Sequence, residues 1–330
     1  MGGERRTGWG GEPVSAPGLD EIRSAARLLQ GTVVRTPLVG LHSYDTVTDI
    51  YLKPEVLQPV GSFKIRGVGN WALNLSEEDR GRGLSTTSAG NTAAALGYMA
   101  RRLGVPARSM VPSTLHETKR RMLASYGVEL VEVDMDGLMA YMFEERWRVE
   151  PFSYLNPWGE PLMIAGHATM GIEIFDDLPE IDSVFVPVGG GALLSGVAAA
   201  LKALKPSVKV YAVQAAVNSA LSAAFEAGGP VWIEWEDTVV EGASTPVITD
   251  EMYPMLRSLV DEVVLVSEDQ VKDAMRRLAL RNKLVTEGAG AAAVAAAITI
   301  PVEKRGTTVC VVSGGSVDEA LLREVLGRSS

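Results

Sequence analysis

Short β-branched runs alternate with helical patterns along most of the 330-residue chain, and this alternation constrains the fold more than any other feature. Strands are expected at 49–53, 108–112, 128–133, 183–188, 209–213, 262–266 and 308–313. Helices are expected around 19–30, 64–74, 91–103, 117–126, 136–148, 168–177, 193–204, 268–282 and 289–298. Runs such as "SVFVPV" and "TVCVVS" have no polar face, so they need cover on both sides. With helices between them, they imply an α/β fold with parallel sheets sandwiched by helices. Ligands in such sheets sit beyond the carboxyl ends of the strands. The loops that follow strands are therefore where chemistry is sought.

Composition removes several classes of function. The net charge is −10 and the sequence pI about 5.0, a field that attracts neither nucleic acid nor an anionic membrane surface. No apolar run reaches membrane-spanning length, and "GAGAAAVAAAITI" reads as a buried helix. The single cysteine, Cys310, lies in an apolar strand and is expected to be inert, which fits a reducing cytoplasm. The glycine-rich start, "MGGERRTGWGGEPVSAPG", lacks a signal-peptide core and is expected to be a mobile arm over 1–16. Arg6 stands where a myristoylation signal has Ser or Thr. His42, His116 and His167 are far apart, so neither a zinc site nor any other metal site is expected.

Four loops carry the candidate chemistry. "PVGSFKIRG" (59–67) places Lys64 among Ser62, Phe63 and Ile65. A lysine in so apolar a setting is either an exposed residue at a helix start or a desolvated amine able to attack a carbonyl. "FVPVGGGALLSGVA" (185–198) runs from a strand through Gly189, Gly190 and Gly191 into a helix. Such a turn aims backbone N–H groups and the positive helix end at one point, an anion cradle most natural for phosphate, or else merely packs tightly. "STTSAGNTAAALGYMA" (85–100) offers Ser88, Gly90, Asn91 and Thr92 at a helix start, suited to a carboxylate or to ordinary N-capping. "CVVSGGSVD" (310–318) adds Ser313 at a strand end. Taken together, a reactive lysine, a phosphate cradle, a carboxylate cradle and a neutral hydroxyl describe pyridoxal 5′-phosphate (PLP) joined to a lysine and holding an amino acid.

With "RTPLVGL" (35–41), these motifs occur in an order that resembles the fold-type II PLP enzymes, tryptophan synthase β-like. The resemblance is nearest to the threonine/serine dehydratase and serine racemase family, and it covers most of the chain after the arm. It implies two open, parallel-rich sheets covered by helices, with PLP in the cleft between two domains. The large, PLP-binding domain would span 17–79 and 156–330, and the small domain 80–155. It implies that Lys64 carries the cofactor, Phe63 packs beside its ring, and Asn91 bonds its phenolic oxygen. Gly189, Gly190, Gly191, Ala192 and Leu193 would hold the phosphate, with Ala192 where the family often has a fourth glycine. Ser313 would face the pyridine nitrogen, and Gly242 would lie near the cofactor, although Glu241 stands where Asp is commoner. Ser88, Ala89, Gly90, Asn91 and Thr92 would take the substrate carboxylate.

The implied activity is β-elimination from a β-hydroxy amino acid such as L-threonine or L-serine, giving a 2-oxo acid and ammonia. A neutral Ser313 leaves the ring a weaker electron sink, so expulsion of a β-group is the easier exit. Thr92, "LNPWGEP" and "VQA" resemble threonine synthase instead, which stays open as an alternative. Racemisation and a catalytically silent PLP-binding protein are the others. Gln214 and Ala220 stand where serine racemases carry metal-binding carboxylates. From the short stretch that follows "SGGSVD", the regulatory domain of biosynthetic dehydratases is not expected. By resemblance, the partners are a small amino acid and further copies of the chain, in a dimer or tetramer.

Overall fold

The computed structural model describes residues 6–42 and 49–328. Among the described residues, ten strands form two sheets. The strands are β1 (Val39–Gly40), β2 (Ile50–Pro54), β3 (Leu84–Thr87), β4 (Ala107–Pro112), β5 (Val128–Val133), β6 (Ser153–Leu155), β7 (Ser183–Pro187), β8 (Lys209–Ala215), β9 (Glu262–Val266) and β10 (Thr308–Val312). The larger sheet has the order β1-β2-β10-β7-β8-β9, and the smaller β5-β4-β3-β6. Every pairing is parallel except β1 with β2. The seven expected strands are all present. Of the other three, β3 lies in the run already noted before the "SAGN" loop, while β1 and β6 have two and three residues, too short to show a pattern.

Burial follows position in the sheet. β10 and β7, at the centre of the larger sheet, are buried at all five positions each. β5 and β9, at the edges, are buried at one position each. The helix Gly288–Ala297, apolar on every side, is buried throughout, with Cys310 behind it. Burial pushes the Cys310 thiol up and keeps it uncharged.

Helix ends follow local chemistry. The helix expected from 168 begins at Pro161, with Glu160 as its cap, because proline is well suited to the first helical position. The helix expected over 136–148 stops at Phe143, and Glu145 follows in the left-handed region at φ 53°. The stretch 268–282 is α-helical to Arg277 and then widens into a π-turn over Leu278–Asn282.

Two helices approach unusually closely. A Cβ on Gly166 would lie 2.3 Å from the Arg66 carbonyl oxygen, and one on Gly67 would lie 2.4 Å from His167 Cε1. Glycine at both crossings brings the helix Pro161–Asp177 directly against Lys64–Asn74, the helix that begins with the candidate lysine.

The arm expected over 1–16 makes contacts with the rest of the molecule. Over its described residues, 6–16, it is fastened by hydrogen bonds, among them Thr7 Oγ1 to Asp250 (2.7 Å) and Trp9 N to Glu251 (2.7 Å). Gly8 is where the chain passes over Glu251 and has no room for a side chain.

Candidate active site

Lys64 is the first residue of its helix, and an ionic cluster one turn further on holds that helix in place. The Arg66 guanidinium is wholly buried and forks onto two carboxylates. It bonds Glu55 at 2.7 and 2.9 Å and Glu173 at 2.7 and 2.8 Å. Lys53, also wholly buried, donates to Glu173 and to the Thr36 carbonyl, both at 2.6 Å. Two cations meet two carboxylates, so the cluster is balanced. Removing one partner from such a group costs about 3–5 kcal/mol, because the remainder is left buried and unpaired. The Arg of "SFKIRG" therefore fixes the backbone from which Lys64 projects.

Around Lys64 the loop after β10 folds back. Ser62 and Gly314 form an antiparallel bridge, Phe63 N donates to Ser313 O at 2.9 Å, and Gly315 N to Gly61 O at 2.9 Å. Ser313 is buried at the strand end. The Lys64 amine stands 5.1 Å from the Phe63 ring centroid. The Phe63 ring also meets His167, centroids 4.7 Å apart, which is wholly buried and has neither ring nitrogen bonded. Burial, with the charges of Lys64 and Arg66, holds the His167 imidazole well below its ordinary pKa, so it is neutral. Burial lowers the Lys64 amine to about 8, opposed by the charge of Glu287.

Glu287 is the residue that sequence reasoning missed. It sits at the start of the helix Gly288–Ala297, and Asn91 Nδ2 donates to its Oε1 at 2.8 Å. A Cβ on Gly314 would lie 2.4 Å from the same oxygen. Burial raises the Glu287 carboxyl to about 7 against that hydrogen bond. The available signal was weak, an acidic residue directly before an all-apolar helix, a position that the helix dipole favours in any case. Asn91 also accepts from Ser316 Oγ at 2.7 Å, so the amide expected to bond the cofactor is shared between Glu287 and Ser316.

The carboxylate-type loop follows β3. Ser109 Oγ donates to Ser88 O at 2.7 Å and Ser88 N to Ser109 Oγ at 3.1 Å, while Thr87 pairs with the Tyr154 hydroxyl at 2.9 Å. Ser88, Ala89, Gly90 and Asn91 remain partly open, and Thr92 is buried. The phosphate-type turn follows β7. Gly191 is at φ 101°, Gly189 faces the Ala243 backbone, and Gly190 faces Trp158. Ala192 and Leu193 open the 13-residue helix Ala192–Leu204 and are buried. Gly242 lies on the turn Glu241–Ala243, where a Cβ would be 3.7 Å from Glu287 Oε1. At the mouth, Lys119 from the smaller sheet's helix Glu117–Ser125 reaches Glu241 at 2.6 Å. Gln214 caps the helix Ala220–Ala227, accepting from Leu221 N and Ser222 N. Among the described residues, no group of three His, Cys, Asp or Glu is placed to hold a metal ion.

The site fits the cofactor on its own geometry: a glycine cradle at a helix start for an anion, an amine of lowered basicity for a carbonyl, and two buried hydroxyls nearby, Ser62 and Thr286, without partners. Comparison with known proteins agrees. A family model described as pyridoxal-phosphate dependent enzyme matches residues 29–314. The L-threonine ammonia-lyase of Thermotoga maritima is 35% identical over 94% of this chain and 78% of its own length. The catabolic L-threonine dehydratase TdcB of Escherichia coli is 33% identical over 94% of this chain and 96% of its own. Maize serine racemase superposes with a TM-score of 0.86 at 29% identity, covering 94% of this chain and 97% of that one. The chain belongs to the family of pyridoxal-phosphate-dependent enzymes and, within it, to the threonine ammonia-lyase group of lyases.

Proposed function

We propose that the protein deaminates a small β-hydroxy amino acid, L-threonine or L-serine, to the 2-oxo acid and ammonia. The observation that supports this best is a chain of contacts: the loop after β10 bridges to Ser62 beside Lys64, Asn91 of the loop after β3 bonds Glu287, whose charge acts on Lys64, and the glycine turn after β7 packs on Ala243, next to Gly242, which faces Glu287. Bound PLP supplies an electron sink that makes the substrate Cα–H acidic.

The chain's own groups do the rest. Lys64 would hold the cofactor, and its amine, near 8, is neutral often enough at pH 7 to take a proton from the substrate Cα. Gly189, Gly190, Gly191, Ala192 and Leu193 hold the phosphate by backbone N–H groups. The Ser88–Thr92 loop takes the substrate carboxylate at the start of the helix Asn91–Leu103, where the helix dipole favours an anion. Ser313, buried and neutral, would meet the ring nitrogen without a charge to keep it protonated, a setting in which the cofactor would favour loss of the β-hydroxyl. Phe63 and Gly242 line the ring, and Glu287, bonded to Asn91, sets the charge beside Lys64.

Racemisation is the second reading, favoured by the superposition on maize serine racemase. It needs a proton donor on the face opposite Lys64, and the loop offers Ala89, whose methyl group donates nothing. A panel of β-hydroxy amino acids, followed for 2-oxo acid, ammonia and enantiomeric composition, separates the two. Oxo acid is expected to outrun D-serine, and Lys64→Ala is expected to lose both turnover and the absorbance of lysine-bound cofactor. D-serine matching pyruvate, or retained elimination in Lys64→Ala, would reject the reading.

A further inference from the structure

Residues 6–14 lie outside the stretch matched by the family model, yet two sets of contacts bind them into the molecule. The first set joins the arm to the segment before the helix Tyr253–Leu259. Thr7 and Asp250 bond in both directions, at 2.7 and 3.1 Å. Trp9 N and Gly11 N both donate to Glu251 Oε1, at 2.7 and 3.2 Å, and Val14 N to Glu251 O at 2.9 Å. Glu251 is 3% exposed, and its Oε2 is left without a partner beneath Gly8. A buried carboxylate is here committed to the backbone of an arm.

The second set joins the arm to the helix Met135–Phe143 and to the phosphate-type turn. Arg6 donates to the Phe143 carbonyl at 3.3 Å, and Trp9 stacks on the Phe143 ring at 6.3 Å. Trp9 also meets Trp158 at 6.5 Å, and Phe143 meets Trp158 and Trp232 at 6.0 and 5.6 Å. Trp158 in turn covers Gly190, where a Cβ would lie 2.8 Å from its Cγ. Contact therefore runs without a gap from Glu251 through Trp9 and Trp158 to the turn after β7.

We propose that residues 6–14 are a strap that presses Trp158 onto the Gly189–Gly191 turn and thereby slows escape of the cofactor's phosphate. The proposal rests on the assignment of that turn to the phosphate. Backbone N–H groups bind an anion well only while the turn keeps its shape, and two of the surfaces that keep Trp158 in place are Trp9 and Phe143. The arm's large apolar side chain, Trp9, packs in this aromatic group and not in the main core.

The test compares Trp9→Ala and Glu251→Ala, each in the full-length protein, with Gly190→Val and with a chain lacking residues 1–16. PLP affinity and dissociation rate are measured on resolved apoprotein by the absorbance of lysine-bound cofactor and by quenching of tryptophan fluorescence, well below the unfolding temperature. Each strap substitution is expected to raise the dissociation constant about tenfold, chiefly through faster dissociation, and the deletion to raise it further. If Gly190→Val weakens PLP while both strap variants stay within about twofold of the parent, the strap is rejected and the turn's assignment stands. If Gly190→Val leaves PLP binding unchanged, the turn's assignment falls and the strap with it. A deletion that fails to fold leaves the decision to the two point variants.

Discussion

The strand–turn–helix junctions after β7 and β3, proposed above for the cofactor's phosphate and the substrate carboxylate, look alike in sequence and differ in space. After β7, every glycine of the turn is hemmed in: Gly189 by the Ala243 backbone, Gly190 by Trp158, and Gly191 by Leu256, with an added Cβ 2.8 Å from Leu256 Cδ1. After β3, a Cβ on Gly90 would meet nothing within 4 Å. The first junction uses glycine to bring backbone and neighbours into contact. The second uses it to leave space. A permanently held anion calls for the first arrangement, and a molecule that enters and leaves at each turnover calls for the second. The helix starts supply the same favourable dipole in both cases, so the packing around them separates the two roles.

Three measurements can break or sharpen this contrast. Gly190→Val drives a branched side chain into Trp158, and the affinity for PLP is expected to fall by about 100-fold or more, against overpacking costs of about 1–3 kcal/mol. Equilibrium titration of the apoprotein would show this, and retained affinity would erase the difference between the junctions. Next, capture of PLP by the apoprotein is expected to speed up about tenfold between pH 7 and 9, with a midpoint near the Lys64 value of about 8, because the neutral amine is the nucleophile and burial brings it within reach. Stopped-flow absorbance checks it; a rate still climbing steeply above pH 9 would mean an ordinary lysine. The smallest effect is expected for Gly90→Ala, which fills open space. KM for the amino acid should rise about three- to tenfold while PLP affinity stays within about twofold. A loss of PLP affinity there would make the two junctions equivalent.

Much of this was legible in the sequence because it is written in local patterns. Valine runs mark β7 and β10, and strand–glycine–helix punctuation marks both junctions. Lys64 stands out because an ammonium sits among Phe63, Ile65 and glycines. Legibility failed where the cause is distant. Glu287 acquires its meaning from Asn91, 196 residues earlier in the chain. The arm's partner is equally remote: Glu251, more than 230 residues on, accepts hydrogen bonds from Trp9 N and Gly11 N. Nothing in the local pattern marks Arg66, which only the meeting of Glu55, Glu173 and Lys53 makes a buried fork. Short elements such as Ser153–Leu155 and Tyr253–Leu259 carry too few residues for a period to appear.

The position of β10 has a consequence for how the protein comes into being. β10 lies between β2 and β7, so residues 308–312 fill the middle of the larger sheet. On a ribosome, β2 and β7 are made long before the strand that joins them, and each must wait with an unpaired inner edge. The smaller sheet has no such debt, since all its strands lie between residues 84 and 155 and pair among themselves. Synthesis thus gives the smaller sheet a chance to fold first, while the larger one closes late through contacts far apart in sequence, the slow and aggregation-exposed kind. Because Ser313 and Gly314 follow β10 directly, the floor beneath Lys64 is assembled in that same late step. A nascent chain therefore holds its lysine, its glycine turn and its carboxylate loop for most of synthesis without owning a site.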